Sequence, residues 1–249
     1  MCTVLLAWRC VDGADFVLAA NRDELLARHG TEPELLSSLP PIAGGRDLTA
    51  RGTWLAVAPD ARVCAVTNRR AGSDEVARDP SRRSRGEIPV DLLMQPEADI
   101  AGHLRDLGPG RYNPVNVLYV SPAVAIAASV DDTAPPRVTV LEPGVHILTV
   151  GDIDDGTRDK DAALYAHVMR TMNQATSAQE MELRMRVVLS RHDSPSGDPL
   201  DAACIHGDVY GTVSAATVIA ADGATTYRHA QGRPCTTPFG IVGVLESAV

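Results

Sequence analysis

The chain opens MCTVLLAW, and the cysteine in second place is the residue best equipped to do chemistry. A thiol titrates at about 8.5 and is mostly protonated at neutral pH, so it needs a base to become a nucleophile. If Met1 is removed, Cys2 carries its own base, an α-amine with a pKa of about 7.7–8.0. An amide nitrogen is no base, so the chemistry depends on that removal, which the small size of cysteine permits. Further along stands Asn21-Arg22-Asp23-Glu24. A guanidinium there favours a thiolate, and a carboxylate can fix an ammonium group. A plainer reading also stands: Cys2 is a small apolar residue opening an edge strand, since free cysteine packs well in cores.

These residues act together only if the backbone brings them together. Residues 2–9 (CTVLLAWR) and 16–20 (FVLAA) read as buried strands around an Asp-Gly turn, which predicts a hairpin. The returning strand then delivers Asn21 to Asp23 beside the first residues of the chain. NRDELLARHG reads as a short helical or irregular stretch, with Glu24 as a helix-start carboxylate. Residues 31–47, rich in Pro, Ser and Gly, read as a loop. TWLAVA and VCAVT predict a second hairpin, and helices are expected near Gly86 and over EADIAGHLRDL. Strands follow at VNVLYV, VAIAAS, RVTVLE and VHILTV, the first two pairing around Ser121-Pro122. KDAALYAHVMRTM and AQEMELRMRVVLS have helical apolar spacing. AATVIAA and TTYRHA flank the Asp222-Gly223 turn. Hairpins at both ends with helices between them predict an α+β architecture rather than a doubly wound parallel sheet. No linker is marked, so residues 1–249 are expected to form one domain.

Composition narrows the function classes. A net charge of −9 argues against a nucleic-acid binder. No apolar stretch approaches the roughly 20 residues that span a membrane. The N-terminal run lacks a basic flank, so a cytoplasmic location is expected. The five cysteines (Cys2, Cys10, Cys64, Cys204, Cys235) contain no CxxC pair, which argues against a disulfide scaffold or structural zinc. The histidine–aspartate pairs in RHD at 191–193 and HGD at 206–208 lack a third partner, so no metal and no cofactor are expected.

MC followed by an apolar strand and then LAANRDE resembles the NRDE, or transport-and-Golgi-organisation, family. GTWLAV, AVTNRR, SRGEIPVDLL, YNPVNVLYV and YGTVSAATVIAADG resemble further motifs of that family, in order, over nearly the whole chain. The resemblance implies an N-terminal-nucleophile (Ntn) hydrolase fold, a four-layer αββα sandwich. It implies Cys2 as nucleophile, Asp23 as the carboxylate that contacts the amine, and Asn68 as an oxyanion-hole residue. Related cysteine Ntn enzymes carry an arginine where this chain has Ala20, so Arg22 takes that part by an offset. Val150 stands where the family has a second oxyanion-hole asparagine, and Val213 where it has an arginine. Losing one such donor typically costs about 10²–10³ in rate.

Among the remaining polar residues, Arg69 and Arg85 flank matched motifs and could grip a carboxylate or phosphate by a bidentate fork. The arginines between them, including Arg78, Arg82 and Arg83, read as a solvated loop. Asn21 is a substrate-site candidate by position, although asparagine there also suits a structural role. Three functions stay open. One is a cysteine amidohydrolase or acyltransferase acting on a small amide or thioester, a non-peptide C–N bond if it is a hydrolase. Another is a non-catalytic binding or trafficking protein on the same fold, for which the family resemblance implies haem or another hydrophobic small molecule. The third is a redox-sensitive cytosolic protein whose exposed Cys2 is merely reactive.

Overall fold

At Asp222-Gly223 both residues take positive φ, 52° and 72°, as a type I′ hairpin turn requires. Such tight antiparallel connections build most of the structure. It is a computed structural model and describes residues 2–70, 79–172 and 175–243. In chain order the strands are β1 (Thr3–Val11), β2 (Ala14–Leu25), β3 (Gly30–Ser38), β4 (Pro41–Asp47), β5 (Leu55–Val57) and β6 (Val63–Asn68). Helices α1 (Ile88–Leu93) and α2 (Ile100–Arg105) follow, then β7 (Val115–Val120), β8 (Ala125–Val130), β9 (Arg137–Val140) and β10 (Gly144–Leu148). Helices α3 (Asp159–Met172) and α4 (Ala178–Leu189) precede β11 (Tyr210–Ala221), β12 (Ala224–Ala230) and β13 (Gly240–Ile241). Among the described residues no helix is long and apolar enough to cross a membrane.

The chain divides into two compact units, each assembled from separated stretches of sequence. The first contains Met1–Arg28, Pro143–Thr149 and Ile153–Gly243. Its sheet runs β10-β1-β2-β11-β12-β13, with every pairing antiparallel. The apolar run of β1 fits its place: it is an interior strand between β10 and β2, so the edge-strand reading of Cys2 is corrected. Leu5, Ala7, Val17 and Ala19 pack with Leu164, Val168, Met181 and Met185 of α3 and α4. Helix α4 begins with a capping box. Ser177 Oγ accepts from the Glu180 N–H, and Glu180 reaches back to the Thr176 N–H. Buried Glu182 ties α4 to the sheet, accepting from Thr217 of β11 and from Arg228 of β12.

The second unit contains His29–Glu142, Val150–Asp152 and Val244–Val249, the last of these outside the described residues. Its seven-stranded sheet runs from β3 to β9 in chain order. Ile42, Cys64, Tyr112 and Tyr119 form a core with Ile88, Leu92, Leu93 and Ile100 of α1 and α2. The Gly52 and Gly86 backbones cross so closely that a Cβ on Gly86 would lie 2.9 Å from Gly52 Cα and from Thr53 N. The Thr53 N–H donates to the Gly86 carbonyl at 2.8 Å. This crossing gives the glycines of the GTW and SRGE motifs a physical reason.

Two further expectations are corrected. Residues 31–47 are no loop but the hairpin β3–β4. Strand β3 lies at the sheet edge and is half exposed, where Pro33 and the polar residues around it are tolerated. Asn21 to Glu24 lie within β2 rather than at a helix start. Strand β11 runs on to Tyr210 alongside them and satisfies their backbone, and Glu24 pairs with Arg28 at 3.0 Å.

Candidate active site

Cys2 stands just before β1, and Thr3 pairs with Asn21 of β2. The β1–β2 hairpin therefore does what its sequence predicts: it sets Arg22 and Asp23 at the sheet end that carries Cys2. On the other side of β2, Asp23 pairs with Thr212 and Arg22 with Ser214. The register shifts between these pairs, and Val213 occupies the bulge. A bulge re-aims the side chains around it.

Asp23 is 2% exposed. The Thr212 hydroxyl donates to its Oδ1 at 2.6 Å, and the Tyr210 hydroxyl donates to its backbone carbonyl at 2.9 Å. Burial pushes the Asp23 carboxyl up, while the Lys160 ammonium and the Thr212 hydroxyl pull it back down. Lys160 is itself buried and donates to the Ala202 carbonyl at 3.0 Å. Cys2 keeps part of its surface exposed, yet burial pushes its thiol up and the Asp23 charge adds to that. A hydrogen bond from the Asp23 backbone and the Arg22 guanidinium oppose the rise. The thiol is therefore protonated at neutral pH and needs a base to react. Arg22 is buried and donates to the Arg28 carbonyl.

Asn21 is committed to the fold. Its Nδ2 donates to the Leu189 and Ala203 carbonyls at 2.9 and 2.8 Å, joining β2 to the end of α4 and to the segment before β11.

Asn68, Arg69, Arg85 and Val150 belong to the second unit. Asn68 ends β6, is exposed and pairs with Val115. Arg69 is buried and held by this chain's own acids, Asp131 at 2.6 Å and Asp152 at 2.7 Å, and by Asn116 Oδ1 at 3.2 Å. The fork read from the sequence thus grips internal carboxylates. Arg85 Nη1 and the Arg69 N–H both donate to the Pro114 carbonyl. Val150 is fully buried, and its carbonyl accepts from the Arg70 N–H at 2.9 Å. Arg82 pairs with Asp132, and Arg83 with Glu87 and Asp91. Arg78 lies outside the described residues.

Sequence reasoning missed two partners of Asp23. Thr212 sits within the YGTV motif, and Lys160 opens an amphipathic helix, where a lysine normally reads as surface. It also set His192 and His206 aside for want of a third partner. That is corrected: the ligand atoms of His192, Cys204, His206 and Cys235 all lie within 4.8 Å of one another.

No functionally curated protein matches the chain in sequence. Among solved structures it is similar to the Caenorhabditis elegans ortholog of N-acylethanolamine-hydrolyzing acid amidase. The TM-score is 0.52 and the identity 10%, over 87% of this chain and 92% of that one. The C2A variant of conjugated bile acid hydrolase from Clostridium perfringens gives a TM-score of 0.53 and 10% identity, over 97% and 96%. Penicillin V acylase from Agrobacterium tumefaciens gives 0.51 and 8%, over 96% and 85%. At such low identity the likeness is one of fold, and the fold is the α+β fold of the Ntn hydrolases. Residues 1–229 match the Transport and Golgi organisation 2 family model. Together with the MC start and the LAANRDE strand, that match settles descent: the chain belongs to the Transport and Golgi organisation 2, or NRDE, family.

Proposed function

We propose that this protein is an N-terminal cysteine amidohydrolase or acyltransferase acting on a small amide or thioester. The observation that carries the reading is the placement of Cys2 beside buried Asp23 and Arg22 at one end of the six-stranded sheet. Its fold is shared with an acid amidase, a bile acid hydrolase and a penicillin acylase.

In this reading Met1 is removed and the freed α-amine of Cys2 takes the thiol proton. The sulfur attacks the carbonyl carbon, and the carbonyl electrons move to oxygen. The oxyanion then collapses, the C–N or C–S bond breaks, and the ammonium returns its proton to the leaving group. Water or an acceptor amine releases the acyl group and regenerates the thiol. Asp23, held by Thr212 and facing the Lys160 charge, fixes the ammonium. Arg22 favours the thiolate form.

Trapping tests this directly. The protein is incubated with activated thioesters and amides of small acids, and the acylated peptide is mapped by mass spectrometry. The acyl group is expected on Cys2, absent from Cys2→Ala and unaffected by Cys10→Ala. Acylation of another cysteine, or none with any acyl donor, overturns the reading.

Two valines favour a second reading, a non-catalytic carrier of haem or another hydrophobic small molecule. Val150 and Val213 offer no side-chain donor or cation at positions where the family resemblance expects them. Haem titration with a saturable Soret shift, together with no acylation of Cys2, supports that reading over the first.

A further inference from the structure

The structure assigns a tetrahedral metal site, suited to Zn²⁺, to His192, Cys204, His206 and Cys235 in the first unit. This inference does not depend on the proposed hydrolase chemistry. Two imidazoles and two thiols form a donor set that selects zinc among the common divalent ions. Their spacing fits: Cys204 Sγ and Cys235 Sγ are 3.6 Å apart, and His206 Nε2 lies 3.2 Å from Cys235 Sγ. With bonds of about 2.3 Å to sulfur and 2.0–2.1 Å to nitrogen, a tetrahedron has ligand–ligand edges of roughly 3.3–3.8 Å. The His192 and His206 rings meet edge to face with centroids 4.6 Å apart, as two imidazoles converging on one point can. The longest separation, within 4.8 Å, closes by a small rotation, since both histidines are exposed while Cys204 is buried. Two thiols lose their protons on binding, so the loaded site is neutral.

The site joins three segments that lack regular structure: the loop after α4, the approach to β11, and the turn after β12. The Cys204 N–H already donates to the Arg191 carbonyl at 2.8 Å. The neighbours of Cys204 reach the candidate active site. Ala203 accepts from Asn21, and the Ile205 N–H donates at 2.9 Å to the Thr212 hydroxyl that in turn holds Asp23. A metal here therefore braces the segment that positions Asp23.

The test uses the full-length chain, purified reduced and stripped of metal by a chelator. Co²⁺ is titrated in while its visible absorption is followed, then Zn²⁺ is added to displace it. The expected result is one ion per chain with the intense spectrum of a tetrahedral thiolate site. Zn²⁺ should also lower amide hydrogen exchange over residues 203–212. Cys235→Ser should weaken zinc binding by more than the roughly 100-fold that loss of an outer-shell partner can cost, and Cys10→Ser should not change it. No tetrahedral cobalt spectrum with the unaltered chain overturns the proposal, even if the variants fail to fold. So does a Cys204–Cys235 disulfide that, once reduced, takes up no cobalt. Exchange over residues 203–212 that ignores zinc overturns the bracing role.

Discussion

Thr212→Val removes one oxygen and almost no volume, and the structure assigns that oxygen two hydrogen bonds. It donates to Asp23 Oδ1 at 2.6 Å and accepts from the Ile205 N–H at 2.9 Å. A bond to a charged carboxylate is worth about 1.5–3 kcal/mol, and a buried N–H left without an acceptor costs about 1–3 kcal/mol. The sum is about 2.5–6 kcal/mol, against about 0.8 kcal/mol for Thr212→Ser, which keeps the hydroxyl and loses a methyl group. Urea unfolding of both variants measures the difference. Because the hydroxyl favours the charged carboxylate, the penalty also depends on pH. Asp23 has a raised folded pKa, so the native state binds the extra proton between 3.8 and that raised value. Its contribution to stability therefore falls as pH rises through this window. Thr212→Val pushes the folded pKa higher still, so its cost should be largest above both folded values, shrink as pH falls through them, and stay constant below, where Asp23 is protonated in both proteins. In an Asp23→Asn background the cost should drop by about 1 kcal/mol, since the acceptor is then neutral. Equal stability of the Val and Ser variants within about 0.5 kcal/mol, or a cost that does not change with pH or with Asp23→Asn, refutes the assigned role of Thr212.

Two glycines in different settings should respond in opposite directions. Gly86→Ala forces a Cβ to 2.9 Å from the Gly52 and Thr53 backbone and should destabilise by at least about 1–3 kcal/mol. Gly102→Ala, exposed in α2 with nothing within 4 Å of the new Cβ, should stabilise by about 0.4–1 kcal/mol; thermal melts separate the two. The capping box of α4 predicts a specific acid dependence. The Thr176 N–H, then Arg184 and the Thr176 hydroxyl, lower the Glu180 pKa from 4.5 to about 2. Its stabilisation is fully present above 4.5 and is lost as pH falls towards about 2. The difference in melting temperature between the protein and Glu180→Gln should stay constant above 4.5 and close below it, and a gap that ignores pH contradicts the assignment.

What the sequence shows and what it hides follows the range of the interactions. The hairpins at both ends are local, so the Asp-Gly turns and apolar runs were enough to place Asp23 at the end of the strand beside Cys2. The β3–β4 hairpin was hidden because an edge strand tolerates proline and polar residues that locally read as loop. Strand character at Asn21 to Glu24 comes from β11, nearly two hundred residues later. The two units could not be read from linkers, because each is assembled from distant stretches of chain. Lys160 and Thr212 look ordinary until the fold sets them around Asp23. The four-ligand cluster breaks the usual short spacing: only Cys204-Ile205-His206 is local, and His192 and Cys235 reach it from distant segments. Arg69 read as a fork for a substrate carboxylate or phosphate, and what hid its role is that Asp131 and Asp152 of the same chain each take one of its N–H groups.

The central claim rests on Cys2 having a free amine. The decisive measurement is the intact mass and N-terminal sequence of the protein expressed with a start codon at Met1, combined with the pH dependence of Cys2 alkylation. The account predicts loss of Met1, a free Cys2 terminus, and alkylation that rises with pH as that amine loses its proton. Full retention of Met1, with Cys2 reacting no faster than Cys10, would contradict it.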